Sequence, residues 1–208
     1  MITIVDYKAG NLTSVRRALD RLEIPCLITG DADKIFQAER IIFPGVGNAK
    51  SAAEQLSKSG IAEALKAAAK KGTPFFGICL GMQIMMTRSD EGDVDCLGFF
   101  EGGVKLLTPN DRRLKIPHMG WDSLKYTRKH PLFRGIDPSS EFYFVHSYYA
   151  DPTDKKNVIA LSDHGIDFCA VIGQKNLFAS QFHPEKSGQS GLNLLKNFAV
   201  WDGDENAE

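Results

Sequence analysis

Along the first half of the chain, short apolar runs alternate with stretches whose apolar residues recur at helical spacing. Residues 1–5 form an apolar run that predicts a strand. Leu12, Val15, Leu19 and Leu22 then recur on one helical face. Residues 25–28 and 40–43 predict the next two strands, the second closed by Pro44-Gly45. The alanine-rich stretch 61–70 predicts an amphipathic helix that stops at Gly72. Residues 74–78 predict a fourth strand. Strand and helix in alternation imply parallel strands joined by crossover helices.

The second half reads differently. Residues 104–107, 141–145, 158–161, 168–172 and 177–180 are short strand candidates separated by turn signals such as Asp163-His164-Gly165. They predict an antiparallel or mixed extension of the sheet. Residues 188–200 close the pattern as a helix with Leu192, Leu195 and Ala199 on one face. The expected fold is therefore α/β: a three-layer, open, mixed but mainly parallel sheet flanked by helices, with an antiparallel extension. One domain over residues 1–201 is expected, followed by an acidic, frayed tail at 202–208.

Composition narrows the function. With 43% apolar and 25% charged residues and a net charge of -1, the chain lacks the positive field that nucleic acid or an anionic membrane requires. The N-terminal run is interrupted by Asp6 and Lys8, too early for a signal peptide or a membrane span, so a cytoplasmic location is expected. Four cysteines, Cys26, Cys79, Cys96 and Cys169, are far apart and form no CxxC pair. Free thiols are expected, and no metal site is indicated.

One cysteine stands apart. In Pro74-Phe75-Phe76-Gly77-Ile78-Cys79-Leu80-Gly81-Met82-Gln83, an apolar strand runs into Gly-x-Cys-x-Gly and then a helix pattern. This is the thiol form of the nucleophile elbow, a strained strand-to-helix turn that needs small neighbours two residues away. A helix start stabilises a thiolate, and the next amide, that of Leu80, can face a developing oxyanion. Taken alone, the segment fits a buried structural cysteine equally well. Among five histidines, His183 is the best base candidate: it follows a strand, Pro184 stiffens the turn, and Glu185 can hold the ring. Taken alone, His-Pro-Glu also fits an ordinary surface turn. Pro44-Gly45-Val46-Gly47 is a tight turn able to present backbone N–H groups, but its spacing fits neither a dinucleotide loop nor a phosphate loop. No cofactor is implied.

In this order, Pro44-Gly45-Val46-Gly47, Gly77 to Gln83 and Phe182 to Ser187 together resemble the class I glutamine amidotransferases, almost end to end. Three further segments, residues 4–12, 117–122 and 142–149, look like those of glutaminase subunits of imidazole glycerol phosphate synthase. The resemblance implies a Cys79, His183, Glu185 triad and oxyanion donors on Leu80 and Val46. It implies glutamine binding by Gly47, Gln83, Glu91, Ser147 and Tyr148, with Glu91 facing the α-ammonium. It also implies a separate cyclase subunit, a β/α barrel, faced by Trp121, Tyr143 and Lys186. That barrel receives ammonia through an internal tunnel and makes imidazole glycerol phosphate and an aminoimidazole carboxamide ribotide. A mobile strand around Gly45 to Gly47 would suit a partner-dependent switch. The chain departs from the family at Asp122, where asparagine is usual, at Lys8-Ala9, and at Asn48-Ala49.

Other readings stay open on the sequence. A paralogous subunit could feed an amidotransferase of surface-polysaccharide synthesis; a γ-glutamyl hydrolase or an inactive binding module could share the elbow. Trp121 suits a core as well as an interface. His146 reads as a satisfied interior histidine, His118 as packed in a turn, and His130 and His164 as solvated. Cys26, Cys96 and Cys169 read as structural.

Overall fold

The computed structural model describes residues 1–8, 12–111 and 113–206. Ala9, Gly10 and Asn11 of the N-terminal motif, and residues 207–208 of the expected tail, lie outside the described residues. Six α-helices are described: α1 (Leu12–Arg21), α2 (Ala32–Phe36), α3 (Ala49–Ser59), α4 (Ile61–Lys71), α5 (Leu80–Ile84) and α6 (Gly188–Val200). The strands are β1 (Ile2–Val5), β2 (Cys26–Thr29), β3 (Arg40–Gly45), β4 (Phe75–Cys79), β5 (Met86–Ser89), β6 (Val94–Asp95) and β7 (Phe100–Leu106). They continue as β8 (His118–Ser123), β9 (Lys125–Tyr126), β10 (Glu141–His146), β11 (Tyr148–Pro152), β12 (Val158–Asp163), β13 (Asp167–Gln174) and β14 (Leu177–Ser180).

Among the described residues the central sheet runs β2-β1-β3-β4-β14-β13-β11-β7-β5-β6, with β12 and β9 branching from β13. The block β2-β1-β3-β4-β14 is parallel, and β14 then pairs antiparallel with β13. This is the mixed sheet that the hydrophobic pattern predicts. The central strands β1, β3 and β4 are buried on both faces, which is why they read as continuous apolar runs. Side chains alternate between two cores. Ile42, Phe76 and Phe178 pack under α1 and α6 with Leu19, Leu195 and Phe198. Ile41, Phe43 and Phe75 pack under α3 and α4 with Leu56 and Leu65.

The structure adds elements that the sequence pattern does not predict, namely α2, α3, β5, β6, β8, β9 and β11, and it changes others. The segment 141–145 does not extend the central sheet; β10 pairs antiparallel with β8 as a separate two-stranded ribbon, Tyr143 opposite Trp121. The helix after Cys79 lasts only five residues before the chain turns into β5. Helix α3 is capped by Asn48, whose side chain accepts from the Ser51 N–H. That cap gives Asn48, one of the family departures, a structural role. The last described residues lie against the body: Trp201 Nε1 donates to the Asp204 carbonyl, and Glu205 pairs with Arg128. Among the described residues no helix is long and apolar enough to cross a membrane.

Candidate active site

The carboxyl ends of β3, β4 and β14 converge, the usual location of a binding crevice in a parallel sheet. Gly45 at the end of β3 is in register with Cys79 at the end of β4, and Ser180 at the end of β14 with Ile78. Cys79 has φ 54° and ψ -112°, a strained conformation for a residue with a side chain. Close packing makes the turn possible. A Cβ on Gly81 would stand 1.9 Å from the Phe43 carbonyl oxygen, and one on Gly77 would stand 2.5 Å from Met85 Sδ. Leu80 opens α5, so its N–H belongs to the first helical turn, which has no intrahelical acceptor.

His183 follows β14 and is held mainly through its backbone. Its N–H donates to the Tyr143 carbonyl over 2.9 Å, and its carbonyl accepts from Ser187 Oγ over 2.6 Å. Ser187 Oγ also accepts from the Tyr143 N–H. The His183 Nδ1 to Glu185 Oε1 distance is 2.8 Å, with both side chains buried. A carboxylate there fixes the proton on Nδ1 and leaves Nε2 toward the sulfur. Nε2 has no formed hydrogen bond, yet the Cys79 sulfur is near enough to act on the ring's charge. Burial opposes protonation of His183, but Cys79 and Glu185 outweigh it and push the ring up to about 10.

A cavity of about 270 Å³ opens beside these groups. It is lined by Cys79 and His183, and by Val46, Gly47, Leu80, Gln83, Glu91, Ser147 and Tyr148. The positions singled out for catalysis and glutamine binding thus share one cleft, with Glu185 directly behind His183. Glu91 Oε2 accepts from the Ala49 N–H at the start of α3, tying the cleft to that helix. Tyr7 packs behind the β3 turn: a Cβ on Gly45 would fall 2.3 Å from its hydroxyl oxygen. Burial first, and Cys79 second, push the Tyr7 phenol well above its usual range.

The cleft also holds residues that sequence reasoning placed elsewhere or passed over. Pro117, Val145 and His146 line it. His146 Nδ1 lies 3.0 Å from the Tyr148 carbonyl, which can only accept, so the proton is on Nδ1. Its Nε2 then accepts from His118 Nδ1 at 3.1 Å. Burial pushes His146 down to about 3 and His118 down to about 4, keeping both rings neutral. His118 therefore lies in β8 and is buried, not in a turn. His130 is buried as well, against Phe178 and Trp201, contrary to the solvated position expected from its polar neighbours. His164 is partly exposed and stacks on His118, 4.2 Å between ring centres. Gln181, hidden in the strand's tail, touches the Cys79 sulfur; no spacing rule would have singled it out.

On the neighbouring ribbon, Trp121 is 52% exposed and its ring lies 5.9 Å from that of Tyr143. Lys186 Nζ stands 5.8 Å from the centre of the Tyr143 ring. Met119, 63% exposed, extends the patch along β8.

The sequence model of the family described as "Glutamine amidotransferase class-I" matches residues 3–201. The chain belongs to the class I glutamine amidotransferases. As a member of that family it is an enzyme, a glutaminase by its donor chemistry. Relatives named imidazole glycerol phosphate synthase subunit HisH resemble it closely. That of Nitratidesulfovibrio vulgaris (strain DP4) is 48% identical, covering 95% of each chain. That of Neisseria meningitidis serogroup A is 42% identical, covering 95% of this chain and 98% of its own. Among solved structures, one titled as a glutamine amidotransferase superposes with a TM-score of 0.74 at 18% identity, covering 96% of this chain and all of its own. PurLQS from Thermotoga maritima superposes at 0.73 and 20% identity, covering 95% of this chain and 96% of its own. At such identity the superpositions speak for the glutamine amidotransferase fold alone.

Proposed function

We propose that this chain is the glutaminase subunit of an imidazole glycerol phosphate synthase. It releases ammonia from glutamine for a cyclase subunit, a β/α barrel, in histidine biosynthesis. The observation that carries the reading is the cleft that joins the Cys79 sulfur to the His183–Glu185 pair, in a chain so similar to relatives of that name over 95% of its length. Those names favour it over a subunit for surface-polysaccharide synthesis.

In this reading, the raised proton affinity of His183 favours an imidazolium beside a thiolate. The Cys79 thiolate attacks the carboxamide carbon of glutamine. Leu80 N–H and Val46 N–H receive the oxyanion. As the C–N bond breaks, His183 gives its proton to the departing ammonia, leaving a glutamyl thioester. Water then enters; His183 takes its proton as the water oxygen bonds to the thioester carbon, the C–S bond breaks, and glutamate leaves with the thiolate restored. Glu185 orients the ring throughout. Gln83, Glu91, Gly47, Ser147 and Tyr148 hold the substrate, Glu91 at its α-ammonium. Trp121, Tyr143 and Lys186 face the barrel, in the cytoplasm.

The test is co-purification with a candidate barrel subunit, followed by synthase turnover with glutamine or with ammonium salts as donor. Cys79→Ala should abolish glutamine-dependent turnover, a loss of about 10³-fold or more, and leave ammonium-dependent turnover intact. Equal loss with both donors would refute the assigned role of Cys79.

A further inference from the structure

Beside Cys79 lie two buried side-chain amides in contact, Gln83 and Gln181. The Tyr148 carbonyl settles how both are turned. Gln83 Nε2 lies 2.8 Å from that carbonyl, which can only accept, so the amide nitrogen of Gln83 must point there. The same nitrogen lies 3.1 Å from the Gln181 side chain, and its second hydrogen needs an acceptor. Gln181 therefore presents Oε1 to Gln83. Its Nε2 is left facing Cys79 Sγ, 3.6 Å away, within range of an N–H···S bond. One backbone carbonyl thus orders a chain of three groups that ends at the reactive sulfur.

We propose that Gln181 is a catalytic hydrogen-bond donor to the Cys79 sulfur and, through its other end, the residue that positions Gln83 for glutamine. This extends the reading under which Cys79 attacks glutamine. A donor on sulfur favours the thiolate over the thiol, because charged acceptors form the stronger bonds. A reversed Gln181 amide would set oxygen against the thiolate and nitrogen against nitrogen, so neither amide can turn alone. With Nε2 of Gln83 occupied twice, its Oε1 remains as the acceptor for the substrate's N–H groups. The backbone supports the arrangement: Gln181 N–H donates to the Ala170 carbonyl over 2.8 Å, directly after β14.

The test measures the pH dependence of Cys79 alkylation by iodoacetamide, in the full chain, alongside glutamine kinetics of the complex with its barrel. Gln181→Met keeps the volume and removes both contacts. Its alkylation midpoint should rise by about half a unit or more, with a lower kcat and a higher KM for glutamine. Gln181→Glu keeps the acceptor for Gln83 but sets a carboxylate against the sulfur. Its midpoint should rise further, with KM changed less than in Gln181→Met. Circular dichroism and thermal melting identify a variant that fails to fold, in which case the other variant decides. Midpoints within 0.2 of wild type in a folded variant, with unchanged kcat and KM, would overturn the proposal. The alkylation profile reads the sulfur without turnover. A chain that proves not to use glutamine would therefore refute the functional reading while still reporting on Gln181.

Discussion

At the scale of single residues, the cleft holds a proton on His183 where burial alone would remove it. His183 is pushed up to about 10, above an ordinary value near 6.5, although burial acts in the other direction. A group that binds its proton more tightly when folded stabilises the fold wherever that proton is bound. The His183 contribution is full below about pH 6.5 and is lost as the pH rises through about 10. Glu185→Gln removes one of the two groups that hold the proton. Urea unfolding between pH 6 and 10 should show a decline in wild-type stability that is shallower in this variant, which is also the less stable of the two at pH 6. An identical slope in both would show that Glu185 does not hold the proton. Activity with glutamine should fall by about 10²–10⁴-fold. The grouping of Cys79, His183 and Glu185 was legible because each sits in a local motif: the glycines around Cys79, and the proline between His183 and Glu185. Gln181 was not legible, since its role arises from a contact with a strand 102 positions away.

At the scale of elements, the elbow depends on how closely β4, α5 and β3 approach. The glycine spacing predicted a sharp turn, but not what stands opposite each glycine. Opposite Gly81 is a backbone carbonyl, Phe43 O, at 1.9 Å from a hypothetical Cβ; opposite Gly77 is the Met85 sulfur at 2.5 Å. A main-chain atom inside a buried sheet cannot yield, whereas a methionine side chain can repack. Gly81→Ala should therefore cost about 3 kcal/mol or more, a fall in Tm on the order of 6–12 °C for a chain of this size. Gly77→Ala should cost less, although Ala179 Cβ at 3.1 Å and the Gly81 backbone at 3.2 Å also crowd that position. Thermal melts of the two variants check the ranking, and equal losses would show that the approach of β3 is not the constraint. The short α5 and the strand β5 escaped the hydrophobic pattern for a physical reason. Residues 80–86 are all buried, so no exposed position marks where helix gives way to strand. The β8–β10 ribbon escaped because Phe142 and Phe144 alternate as in any sheet strand, and pairing partners are not written in a strand's own period.

At the scale of the whole molecule, His183 and the exposed patch share a mechanical link. The Tyr143 backbone receives the His183 N–H through its carbonyl and donates its own N–H to Ser187 Oγ. The Tyr143 ring meanwhile stands in the patch beside Trp121 and Lys186. A partner that presses on this patch therefore bears on the strand that holds His183. Large aromatics exposed beside other apolar residues are the side chains on which binding energy concentrates. Trp121→Ala should weaken the complex with the barrel by about 30-fold or more, the scale of a 2 kcal/mol anchor. Because the ring is half solvent-exposed, the melting temperature of the free chain should hardly move. Titration calorimetry of the two subunits gives the affinity. Glutamine turnover at saturating barrel then separates docking from coupling. Full recovery there would mean that Trp121 contributes affinity alone. A residual loss would mean that contact at the indole is also felt at His183, through the two hydrogen bonds of the Tyr143 backbone. An unchanged affinity would remove Trp121 from the interface and leave its exposure without a partner to explain it.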